Sequence, residues 1–262
     1  NKTAEIENKK GRPPVLSFEC SHCHQGKHSG QLAIYSGKVE SLGLPEMPSP
    51  MYLAHVDCVG CHYQESIDPV EVGFNGKTFT ASDKACVKCH GDKFNGIWDK
   101  TKSELKTTLD ILSEKIELIR LALGKSSLTE KERIEIQEKV EKVEQWHNFV
   151  CVSRGEHNIY LASWIIRQEN QLLSEIESTL QTELPDISTL PLVSGSYCST
   201  LCHFKAGVKS PPLIVKAFGK EMSHLAHAAI ISCVQCHNIG AHKDVTLKED
   251  VRKYLCVKCH DF

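Results

Sequence analysis

A cysteine pair followed at once by histidine occurs six times along this chain. The stretches are Cys20-Ser21-His22-Cys23-His24, Cys58-Val59-Gly60-Cys61-His62, Cys86-Val87-Lys88-Cys89-His90, Cys198-Ser199-Thr200-Leu201-Cys202-His203, Cys233-Val234-Gln235-Cys236-His237 and Cys256-Val257-Lys258-Cys259-His260. Five are C-x-x-C-H, the signature of c-type haem attachment, and the fourth has one extra residue between its cysteines. Two thiols a helical turn or so apart add to the two vinyl groups of one haem, and the next residue is placed to ligate its iron. The expectation is six haem c groups. Their attachment points are Cys20, Cys23, Cys58, Cys61, Cys86, Cys89, Cys198, Cys202, Cys233, Cys236, Cys256 and Cys259. Their proximal ligands are His24, His62, His90, His203, His237 and His260.

C-x-x-C alone also suits zinc or a redox disulfide. Neither requires a histidine directly after the second cysteine, let alone six times. The pattern resembles the multihaem cytochromes c, of a class III-like, doubled C-x-x-C-H type, and it runs from Cys20 to His260. The resemblance implies electron transfer through closely packed haems.

The motifs use 12 of the 13 cysteines, which leaves Cys151. It adjoins an apolar stripe and reads as a buried, inert thiol, with an intersubunit disulfide or a reactive thiol as the sharper alternative. The 262 residues leave too few per haem for an ordinary apolar core, so porphyrin should form much of it. Two propionates per haem would carry the formal charge well below −2. No basic stripe suggests nucleic acid. No apolar run reaches the roughly 18 residues of a membrane span. Haem attachment to paired cysteines normally occurs outside the cytoplasmic membrane, so a periplasmic or extracellular mature chain, its leader removed, is expected.

The expected fold is mainly α with much irregular coil and little or no β. Residues 1–17 read as a polar N-terminal arm, 18–98 as a three-haem module, 99–190 as a long antiparallel helical hairpin, and 191–262 as a second three-haem module. Motif spacings of 38 and 28 in the first module and 35 and 23 in the second suggest duplication. So do Leu53-Ala54-His55 and Leu225-Ala226-His227, each placed just before the middle motif, and the identical Cys-Val-Lys-Cys-His of the last motifs. In the hairpin, Thr101-x-x-Glu104 and Thr129-x-x-Glu132 read as capping boxes. Leu105, Leu109, Leu112, Ile116, Ile119 and Leu123 form one stripe. Ile136, Val140, Val143, His147, Val150, Arg154, His157, Leu161 and Trp164 form a second along one longer helix, with a break expected near Gly155.

Eight of the 14 histidines lie outside the proximal positions. His55 and His227 are expected as distal ligands because they match between the halves. His157 lies in Gly155-Glu156-His157-Asn158, which resembles the distal-ligand helix of the nitrite reductase and hydroxylamine oxidoreductase group, without the proline usual after Asn. His147, His28, His242 and His224 complete the distal set, and His22, inside a motif loop, is the expected spare. Met47, Met51 and Met222 read as packing residues.

Bis-histidine haems are saturated and suit electron transfer between redox partner proteins. The expectation is therefore a respiratory or extracellular electron carrier and not an enzyme. One alternative is a subunit of a polymeric cytochrome filament that contacts copies of itself. Another is a redox enzyme of the nitrite, hydroxylamine or tetrathionate type with one open haem. Against the enzyme, no motif has Lys in place of the proximal His, as the nitrite reductase catalytic haem usually does.

Overall fold

The computed structural model describes residues 28–65, 79–207, 214–224, 226–227, 231, 233–238 and 246–261. For Cys198, Cys202 and Cys233 it describes the backbone alone. The first motif, with Cys20, His22, Cys23 and His24, lies outside these residues, as does His242. The fold is mainly helical, with short two-stranded hairpins.

Three long helices dominate: α4 (Ile97–Lys125), α5 (Glu130–Val152) and α6 (Ile159–Leu180). The expected capping box at Thr129 is present, its side chain and that of Glu132 each bonding the other's backbone N–H. The one expected at Thr101 is not. α4 starts a turn earlier, where Asp83 Oδ1 accepts from Trp98 N–H at 2.7 Å, and Thr101 Oγ1 donates back to the Ile97 carbonyl. A carboxylate from outside the helix has taken over the capping.

The expected antiparallel helical segment is a three-helix bundle, because the break expected near Gly155 is present and reverses the chain. The chain leaves α5 at Val152, passes Arg154 at φ 55°, makes a 3₁₀ turn at Gly155–Asn158 and reverses into α6. Arg120–Glu144 (2.8 Å) and Lys139–Glu175 (2.9 Å), both on the surface, bridge antiparallel neighbours. Glycine is required at the reversal. A Cβ on Gly155 would lie 2.9 Å from Val150 Cγ1, 3.0 Å from Ala162 Cβ and 3.1 Å from Leu105 Cδ2. Asn158 locks the turn: its Oδ1 caps Leu161 N–H, and its Nδ2 donates to the carbonyls of Ile34 (2.8 Å) and Met47 (2.7 Å).

The two stripes meet inside this bundle. Leu112, Ile119, Val143, Val150, Leu161, Ile165 and Ile166 are completely buried. The fourth motif joins this core through Leu201 and its neighbour Tyr197, but the other described motif segments are different. Between residues 51 and 96 the only fully buried apolar side chain described is Ala85, and between 204 and 261 only Val251. Val59, Tyr63, Phe204, Tyr254 and Val257 stand exposed there.

Local structure repeats around the motifs. After the second, helix α2 (Cys58–Cys61) runs into strand β1 (His62–Glu65), which pairs antiparallel with β2 (Phe79–Ala81) and leads to α3 (Asp83–His90), the third motif's helix. After the fifth, α7 (Cys233–Cys236) runs into β5 (His237–Asn238), which pairs with β6 (Thr246–Leu247) and leads to α8 (Val251–Tyr254) and the sixth. Each first strand starts on the motif histidine. Between the fourth and fifth motifs lies a further hairpin, β3 (Ile214–Ala217) with β4 (Lys220–Ser223). At the fourth motif the extra residue is taken up by a π-helical turn over Cys198–His203, a wider turn that needs one more residue per revolution.

Candidate metal-ligating site

Three motif histidines each face a histidine from elsewhere. His62 faces His157 across 6.1 Å between ring centres, with planes 7° from parallel. His237 faces His224 at 6.1 Å, and His260 faces His227 at 5.9 Å. Two imidazoles, each bound by a nitrogen about 2 Å from one metal, hold their ring centres roughly 6 Å apart. The donor set therefore fits a metal held between each pair.

The outer nitrogens support this use. Nδ1 of His62 lies 3.2 Å from the Phe79 carbonyl, Nδ1 of His157 2.9 Å from that of Arg154, and Nδ1 of His227 2.7 Å from that of Ser223. A carbonyl only accepts, so Nδ1 must carry the proton. Nε2 of the neutral ring is then left with its lone pair, the arrangement that orients a metal-ligating imidazole. Burial pushes the His157 pKa down, against the pull of the Arg154 carbonyl. Burial likewise pushes His237 down, helped by His224. Both shifts favour the neutral, ligating ring.

Each ligand has a local cause. β-pairing carries Phe79 to His62. The reversal at Gly155 and the Asn158 bonds present His157. His224 and His227 stand three residues apart just after β4, where one helical turn puts both on the same side. Among the described residues, no cluster of three or more His, Cys, Asp or Glu converges. A structural zinc ion needs four such ligands, whereas each pair here offers two.

No protein family, curated protein or solved structure matches this chain.

The other expected residues are placed as follows. The thiols of the second and third motifs are neighbours: burial pushes the Cys61 thiol up, and Cys89 and then Cys58 add to it. Cys86, Cys236, Cys256 and Cys259 lie at their motif turns. His90 packs on Phe94 at 4.8 Å, and His203 ends the π-helical turn. Lys205, just after it, donates to the Asn95 carbonyl at 2.6 Å, which ties the fourth motif's segment to the third's. His28 precedes α1 (Ser29–Ser36) and is exposed. His55 is exposed at φ 56° in the turn after the short helix Pro50–Leu53, and no described histidine faces it. Its counterpart His227 differs because helical hydrogen bonding continues there, with Ile231 N–H donating to the His227 carbonyl.

His147 sits inside the bundle. Its Nδ1 lies 3.3 Å from Glu169 Oε2, and its Nε2 lies 2.9 Å from Ser113 Oγ and 3.7 Å from Cys151 Sγ. Burial opposes its charge, but Cys151 and Glu169 outweigh it, and its pKa is pushed up to about 10. Cys151 is exposed, contrary to the buried thiol expected from its neighbour Val150. α5 ends within two residues of it, so the stripe no longer shields that flank. Glu169 and Ser113 carry no sequence signal. Each belongs to another helix, and only packing brings them to His147.

Proposed function

We propose that this protein is a multihaem c-type cytochrome that carries electrons along covalently bound, mainly bis-histidine haems. The observation that carries the reading is the set of three imidazole pairs, each joining a motif histidine to one outside the motifs at 5.9 to 6.1 Å. In this reading His62 and His157 hold one iron, His237 and His224 a second, and His260 and His227 a third. The motif cysteines hold each haem by thioether bonds, with six haems on the whole chain.

When bound, the haems supply one-electron chemistry. The chain's own residues hold and orient them. The carbonyls of Phe79, Arg154 and Ser223 orient the rings of His62, His157 and His227, and an iron held by two imidazoles would have no position left for substrate. Among the described residues, the motif segments other than the fourth, whose Leu201 joins the bundle core, bury almost no apolar side chain of their own, so porphyrin would serve there as core. An open cavity of about 520 Å³ beside α3 is lined by Tyr63, Lys84, Val87, Lys88, Asp92 and Asn95, and its lysines suit propionate carboxylates. Redox proteins are the partners implied and an exported location fits haem attachment. Among the described residues no helix is long and apolar enough to cross a membrane.

The test is a spin-state census. Intact mass counts the haems, spectra of the oxidised protein report spin state, and carbon monoxide probes the reduced form. Six low-spin haems that do not bind carbon monoxide are expected. About one high-spin haem that binds it would turn the reading to an enzyme. Absence of covalent haem would overturn both.

A further inference from the structure

The cluster around His147 is not used by the haem reading, and its order is that of a nucleophile, a base and an orienting acid. Cys151 follows His147 by four residues on α5, so the two share one helix face. The Sγ to Nε2 distance is 3.7 Å. On the far side of the ring, Glu169 reaches Nδ1 from α6 at 3.3 Å. Glu169 is completely buried, and its Oε1 has no hydrogen-bond partner. A carboxylate held there costs stability unless the imidazole beside it bears charge. The His147 side chain is 13% exposed and the thiol faces solvent. The cluster thus runs from a buried acid through a nearly buried base to an accessible sulfur.

Ser113 Oγ also lies 2.9 Å from Nε2. A serine nucleophile needs backbone donors for an oxyanion. Ser113 lies in the middle of α4, where backbone N–H groups are engaged in the helix. A thiol is far more acidic and, in exchange at sulfur, needs no oxyanion hole. Ser113 is therefore a positioning group for the imidazole.

We propose that Cys151, His147 and Glu169 form a nucleophilic site whose substrates are small disulfides. His147 Nε2 takes the thiol proton, and Glu169 holds the imidazolium. The Cys151 sulfur attacks one sulfur of the disulfide, a new S–S bond forms, and the old one breaks. The leaving thiolate takes the proton from His147. Cys151 ends oxidised as a mixed disulfide, and one equivalent of small thiol is released, so atoms and electrons balance.

The experiment uses the full haem-loaded chain with hydroxyethyl disulfide as probe and mass spectrometry of the Cys151 peptide as readout. If the twelve motif cysteines are thioethers, Cys151 is the sole free thiol. Modification of motif cysteines would count against the haem reading and leave this one standing. Wild type and variants are compared at the same pH. His147→Gln should slow the reaction at pH 6 at least tenfold, and Glu169→Gln by less. Equal rates in wild type, His147→Gln and Glu169→Gln would overturn the proposal. So would the appearance of a high-spin haem in His147→Gln, which would make His147 an iron ligand.

Discussion

His62 and His157 are 95 positions apart in the chain, yet their rings lie 6.1 Å apart and 7° from parallel. One belongs to a cysteine-pair motif and the other to the turn where the bundle reverses. In the proposed reading, removing the second ring opens one iron. His157→Ala should convert one haem of six from low to high spin and create one carbon monoxide site, as read from oxidised and reduced visible spectra. An unchanged spectrum would remove His157 from the ligand set.

His224 and His227 stand on one turn but face different motif histidines, His237 and His260. Single replacements by alanine should each open one haem, and the double replacement two. A single replacement that opens both haems, or neither, contradicts the pairing. Electron paramagnetic resonance of the three variants resolves the cases.

Gly155→Ala should cost about 1–3 kcal/mol by overpacking, because its Cβ would press on Val150, Ala162 and Leu105. Asn158→Ala should cost about 2–3 kcal/mol, since it removes a cap, takes the side-chain donor from the Met47 carbonyl and leaves the Ile34 carbonyl with Gly37 N–H alone. Urea titration of the haem-loaded protein measures both. Because the turn presents His157, each variant should also perturb one haem spectrum.

The His147 pKa, about 10 in the fold against an ordinary 6.5, gives a signed pH dependence. A raised pKa means the folded state holds a proton that the unfolded chain releases in this window. The contribution is complete below about pH 6.5, falls as pH rises and is lost above about pH 10. Stability of the wild type relative to His147→Gln should therefore decline across that interval. Ser113, Cys151 and Glu169 are the groups facing the ring, so Glu169→Gln should flatten the same slope.

The cysteine-pair motifs and the apolar stripes of the central segment were legible in the sequence, because residue spacing and helix amphipathicity are local in the chain. The Thr129 capping box was legible for the same reason. The stripe through His147 and His157 read as continuous, with a break expected near Gly155. Gly155 and the αL residue Arg154 do split it there, but the antiparallel packing of the two pieces was not legible. That reversal sends the two histidines to different fates. His157 goes to a motif histidine, and His147 goes to Glu169 and Ser113 on neighbouring helices. A buried position on a helix face looks alike in both cases. The partner decides between them, and partners distant in sequence meet only when the bundle packs.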